Sequence, residues 1–132
     1  MRIFLDTNVL VSAVASRGLC ADVLREILKS HQLIISPGLL SELEKALRQK
    51  IRVPDALINE FIAMVREDSD LFHPGELPDL EIRDKNDLDI LSAALNGKSD
   101  LFVTGDEELL GLVKIENLEI FSPRKFWEKL RS

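Results

Sequence analysis

The sequence predicts a three-layer α/β domain, with a central and mainly parallel sheet of about five short strands covered by helices on both faces. Two observations lead there. Short apolar runs alternate along the chain with amphipathic stretches of helical spacing, the pattern of parallel strands joined by helical crossovers. The chain's 132 residues suit one ordinary domain and are too few for two, and 45% hydrophobic residues are enough to fill a core. Residues 1–132 are therefore read as a single domain.

Arg2–Asp6 is a short β-type run at the start of the chain, leading into a helix. In Ala21–Ser30, Val23, Ile27 and Leu28 form a stripe at helical spacing. Leu33–Ile35 is a short strand candidate. Ser36-Pro37 then sets a capping residue before a proline, a helix start. That helix carries Leu39, Leu40, Leu43, Ala46 and Leu47 on one face. Pro54 opens another, with Leu57, Ile58, Phe61, Ile62 and Val65 at helical spacing. Ser69–Phe72 is a further strand candidate.

His73–Arg83 holds Pro74, Gly75 and Pro78, and reads as a surface loop. Asp84 caps a helix running through Leu95, which Asn96-Gly97 stops. Leu101–Val103 is a strand, Asp106–Leu112 a short helix and Leu118–Phe121 a strand. Ser122-Pro123 starts a terminal helix.

No apolar run approaches the roughly 18 residues that span a bilayer. The apolar opening is interrupted by Asp6 and Asn8 and reads as strand and helix, not as a signal peptide. The lone Cys20 has no internal disulfide partner, which suits a reducing cytoplasm, and its apolar neighbours mark it as a core residue. A net charge of −6 argues weakly against nucleic acid as a ligand. Acids that hold a divalent metal, however, lower the formal charge while creating a locally attractive site for phosphate. The placement of the acids decides.

Asp6 ends the first strand and Asp106 follows the Leu101–Val103 strand, where α/β sheets bind ligands. Either residue is also a good N-cap, and position alone does not separate cap from site. Asp87 lies three and four residues before Ile90 and Leu91, on the apolar face of its helix, whereas Asp89 turns to solvent. A carboxylate on a buried stripe is costly, although the first turn of a helix favours an acid. Glu42 and Glu44 flank the leucine face of their helix symmetrically, and a salt bridge to Arg48 or Lys45 accounts for either.

These residues resemble the PIN-domain family, in particular its prokaryotic toxin components. The resemblance covers nearly the whole chain. It rests on the first strand ending in Asp6-Thr7-Asn8, on Ser36-Pro37 with Leu39–Leu43, and on Asp84–Leu91 followed by Ala93-Ala94. Val103-Thr104-Gly105-Asp106 with Leu109-Leu110 completes it. Lys85 stands where the family often has proline, a departure that touches the helix start and not the chemistry.

The resemblance implies a PIN-like α/β/α fold and an acidic metal site of Asp6, Glu42, Asp87 and Asp106, choosing Glu42 over Glu44. It also implies orienting roles for Asn8 and Thr104, with Thr7 matching a polar position beside them. Clustered carboxylates without histidine or thiolate partners suit Mg²⁺ or Mn²⁺, and His31 and His73 have no ligand-like spacing for zinc. The implied activity is hydrolysis of single-stranded RNA by an endoribonuclease, the toxin of a toxin–antitoxin pair. An antitoxin partner and a homodimer follow from the same resemblance, with Ala21–Leu28 and Leu57–Val65 able to supply a dimer face. Arg17, Arg52, Arg83, Lys85, Arg124 and Lys125 lie near element ends and are candidates to line an RNA path.

Two other readings compete. A haloacid-dehalogenase-type phosphotransferase also starts with a strand ending in Asp, but needs a second Asp where this chain has Asn8. A catalytically silent PIN-like module would bind RNA or protein without cleaving it, and retention of all the acids weighs against it.

Overall fold

The computed structural model describes residues 1–49, 52–77 and 79–132, so Pro78 of the expected loop lies outside the described residues. In chain order the first elements are β1 (Arg2–Leu5), α1 (Thr7–Ala15), α2 (Leu19–Ser30), β2 (Gln32–Ile35) and α3 (Pro37–Gln49). Then come α4 (Asp55–Glu67), β3 (Ser69–Leu71), α5 (Lys85–Asn96) and β4 (Leu101–Val103). The chain finishes with α6 (Glu107–Leu110), β5 (Lys114–Ile115), β6 (Leu118–Phe121) and α7 (Pro123–Arg131).

β1 organises the sheet, pairing in parallel with β2 on one side and β4 on the other. β3 extends the sheet beyond β2 and β6 beyond β4, both in parallel. The strand order is β3-β2-β1-β4-β6-β5. Ile3, Phe4 and Leu5 are consecutive and all fully buried, as a strand covered on both faces must be. Phe4 and its register partner Phe102 stack at 5.4 Å between ring centroids, adding a side-chain contact to the backbone ladder between β1 and β4. Flanking helices pack in pairs, α2 against α7 and α3 against both α4 and α5.

The helix starts follow from their capping residues. Ser36 Oγ accepts from Leu39 N at 3.1 Å, Asp84 Oδ1 from Asn86 N at 2.8 Å, and Ser122 Oγ from Lys125 N at 3.1 Å. Six strands replace the expected five, because β5 pairs antiparallel with β6 at the sheet edge. A strand as short as β5 carries no readable alternation. α6 stops at Leu110, two residues before the expected end, where Gly111 takes the cap position. Cys20 is half-buried against the core, and burial pushes its thiol pKa up, away from a nucleophile's range. Among the described residues, no single helix is long and apolar enough to cross a membrane, and α1 and α2, which pass that test only as a pair, are bent by 106°.

Candidate active site

The chain runs outward from β1 to β2 and β3, then returns to the other side of β1 for β4 and β6. The reversal falls between β1 and β4, and in open α/β sheets the crevice beyond the carboxyl ends at such a point is where ligands bind. Asp6 directly follows β1, and Thr104-Gly105-Asp106 follows β4. Register keeps them adjacent: Leu5 pairs with Val103, and Asp6 N donates to Val103 O at 2.9 Å.

A cavity of about 400 Å³ opens at this crevice. Asp6, Glu42, Asp87 and Asp106 all line it, together with Asn8. Thr104 stands just behind, fully buried. Its hydroxyl donates to Asp6 Oδ2 at 2.7 Å and accepts from Asp106 N at 3.0 Å, so a single side chain ties the two strand ends together. Asp6 Oδ1 also accepts from Thr7 N at 2.8 Å, making Asp6 both the N-cap of α1 and a wall of the cavity. Asp106 is double in the same way: it lines the cavity and caps α6 by accepting from Glu108 N at 2.8 Å. Capping a helix and lining the cavity are not alternatives here. A residue that ends a strand and starts a helix stands at the crevice for the same reason that it caps.

α1 packs against α3 and brings Thr7 to Glu42, whose Oε2 accepts from Thr7 Oγ1 at 2.9 Å. Glu44, on the other flank of α3, pairs with Arg48 at 3.0 Å. The two acids thus differ in the neighbours each flank meets, and of the two only Glu42 lines this cavity. Asp87 sits in the first turn of α5, half-buried, while Asp89 is exposed as expected.

The charges are crowded. The Asp87 carboxyl is pushed up to about 7, first by burial and then by the charges of Asp6, Asp84, Asp106 and Glu42. Asp6 is raised too, chiefly by burial, against which its bonds from Thr104 and Thr7 N act; the Asp106 charge adds to the rise. Carboxylate oxygens with no imidazole or thiol among them fit a hard divalent cation, and the mutual repulsion felt at Asp87 is what such an ion relieves. Among the described residues, no three carboxylates converge closely enough to cage an ion as the side chains stand. Asp6, Asp106 and Glu42 are instead held by their hydrogen bonds.

Sequence reasoning missed Asp84, Asn86, Lys45 and Gln49, which line the same cavity. In the sequence Asp84 reads locally as a cap and Lys45 as a salt-bridge partner, although each lies three residues from a candidate acid and so on its face. None of Arg17, Arg52, Arg83, Lys85, Arg124 and Lys125 lines the cavity. Arg83 reaches Glu108 at 3.6 Å, and Lys125 lies over the Phe121 ring at 4.4 Å.

An acid-lined crevice at the switch point of a largely parallel sheet lies where open α/β domains bind their ligands. The chain matches the PIN domain over residues 2–108 and belongs to that family. No protein of curated function matches it in sequence. A chain in the crystal structure of VapBC2 from Rickettsia felis, bound to a DNA fragment from their promoter, superposes with a TM-score of 0.63 at 19% identity, covering 92% of this chain and 98% of that one. A chain of VapBC-1 from nontypeable Haemophilus influenzae gives a TM-score of 0.63 at 18% identity, covering 94% and 99%. At these identities the likeness is one of fold.

Proposed function

We propose that the protein is a Mg²⁺- or Mn²⁺-dependent endoribonuclease acting on single-stranded RNA, and the toxin of a toxin–antitoxin pair. The observation that carries this reading is the gathering of Asp6, Glu42, Asp87 and Asp106 around one cavity at the β1/β4 switch point. These acids would hold the ion. When bound, the ion supplies Lewis acidity, activating a water and screening charge on the phosphate. Thr104 and the Thr7 amide keep the Asp6 carboxylate in one orientation, and Thr7 Oγ1 does the same for Glu42. Asn8, exposed at the rim, is placed to orient a water or phosphate oxygen. Attack by water rather than by the ribose 2′-hydroxyl leaves 5′-phosphate and 3′-hydroxyl ends.

A protein partner and a homodimer belong to the same proposal, supported by the likeness to chains of VapBC structures. An apolar groove of about 770 Å³, lined by Ala13, Val14, Leu57, Phe61 and Met64, offers a face for one. A cytoplasmic setting suits the lone half-buried cysteine.

The splay of the carboxylates favours a second reading, a silent module that binds without cleaving. Incubating a labelled single-stranded RNA with Mn²⁺, Mg²⁺ or EDTA separates the two. Cleavage in either metal and none in EDTA is the expected result; intact RNA throughout, with no metal binding by calorimetry, sinks the nuclease reading.

Thr104→Val tests the orienting role. It leaves a buried carboxylate and a backbone N–H without their shared partner, so Mn²⁺ affinity is expected to fall roughly 10- to 100-fold. Thr104→Ser restores the hydroxyl and is expected to recover most of it. Titration calorimetry on both variants, alongside their melting curves, checks this.

A further inference from the structure

A second cavity, of about 370 Å³, adjoins the acidic one, and the two share Glu42, Lys45 and Asn86 as a common ridge. His73, Pro74 and Asp89 also line the second cavity. Resting on the nuclease reading, we infer that this second cavity is a nucleotide subsite, holding the base next to the scissile phosphate and selecting bases that carry an exocyclic amino group.

The ridge supplies what a phosphodiester backbone needs to cross from one cavity to the other. Lys45 faces both cavities, and the ion pairs among the described residues engage Arg2, Arg25, Arg48 and Arg83 instead of it. A lysine set between carboxylates and left out of those pairs is placed to hold a phosphate oxygen that the acids would otherwise repel. Asn86, which lines both cavities, adds amide donors beside it.

The turn that carries His73 and Pro74 is tied to α5. His73 O accepts from Asn96 Nδ2 at 2.8 Å. Ser92 Oγ is hydrogen-bonded to both Gly75 N and Gly75 O, at 2.9 and 2.8 Å. A Cβ at position 75 would stand 3.1 Å from Asn96 Oδ1, so the loop lies tightly on α5 and only a glycine fits there without displacing Asn96. These bonds fix the backbone of the turn that carries His73, whose exposed imidazole is a flat surface on which an unpaired base stacks. Asp89 is acceptor-only when ionised, and so takes N–H donors from the base edge. Cytosine, adenine and guanine present a protruding amino group, whereas uracil offers a single N3–H set between two carbonyl oxygens that repel a carboxylate. The solvent-facing acid of α5 thereby gains a role that its position on the helix wheel does not suggest.

The experiment is Mn²⁺-dependent cleavage of short RNAs that differ in the one base on either side of the cut, by wild type, Lys45→Gln, His73→Ala and Asp89→Asn. These are surface changes, and matched melting curves establish that each variant is folded. Wild type is expected to prefer an amino-bearing base over uracil at one flanking position by roughly tenfold in kcat/KM. Asp89→Asn is expected to erase that preference, and His73→Ala to make an abasic site at that position as good as a base. Lys45→Gln is expected to raise KM roughly tenfold and to reduce the salt dependence by about one phosphate contact, with Lys45→Arg recovering both. Robust cleavage with base preference and KM unchanged in all variants overturns the subsite and leaves the nuclease standing. Absence of both cleavage and metal binding by wild type defeats the nuclease reading, and whenever wild type does not cleave, anisotropy of the same labelled RNAs decides the subsite. Binding lost in Lys45→Gln keeps it as an RNA-binding trough; no binding by wild type overturns it as well.

Discussion

Asp6→Asn is expected to lower metal-dependent RNA cleavage by roughly a thousandfold, which corresponds to about 4 kcal/mol of barrier. The change is nearly isosteric, and asparagine caps a helix about as well as aspartate, so α1 keeps its start through Thr7 N. Thr104 Oγ1, which now donates to Asp6, has acceptor capacity for an amide N–H at the same place. What the variant loses is one negative charge at the junction of β1 and β4. A loss of activity with the melting temperature held or raised therefore reports on ion binding and not on folding. Full activity in the variant removes Asp6 from the site. Lost activity with a collapsed melting temperature would mean that Asp6 acts through the fold, and Asp106→Asn would then be the variant to measure.

The second large effect concerns pH and the ion together. Asp87 has its carboxyl raised from 3.8 to about 7 in the folded protein. Between those values the folded state holds a proton that the unfolded chain has released, so metal-free stability falls as pH rises through this window. Below about pH 4 this group costs nothing, and above about pH 7 the loss is complete. In a sealed interior the shift would convert to about 4 kcal/mol, but Asp87 opens on the cavity, and solvent screening reduces the effect to about 1–2 kcal/mol. Asp6, raised in the same direction, adds to the trend.

Melting the metal-free protein from pH 5 to pH 8 is therefore expected to show a falling melting temperature, and Asp87→Asn a flatter profile. Mn²⁺ or Mg²⁺ at a hundred times its dissociation constant is expected to stabilise the wild type by about 2.7 kcal/mol at the alkaline end. Superimposable curves with and without metal at every pH would show that the acids do not share an ion. The same measurement reads the crowding of charge without needing a substrate.

The sheet and its helices were legible in the chain because each is written locally. Strand β1 is a run of consecutive apolar residues, and α3, α5 and α7 each begin at a cap that the sequence displays: Ser36, Asp84 and Ser122. The exceptions are β5, too short for any period, and the end of α6, where fraying moves a boundary by a residue or two.

Asp6 and Asp106 stood out for the same local reason, since each ends a strand and caps the helix that follows. Nothing local could separate Glu42 from Glu44. Helix periodicity places them equivalently, and the difference lies in Thr7 reaching one from α1 while Arg48 holds the other. Nor could periodicity press the His73–Gly75 turn onto α5 to form a second cavity. Caps and apolar stripes depend on neighbours a few residues away in the chain. A cavity depends on which strand ends lie side by side, and that is set by the sheet order, where the chain reverses between β1 and β4.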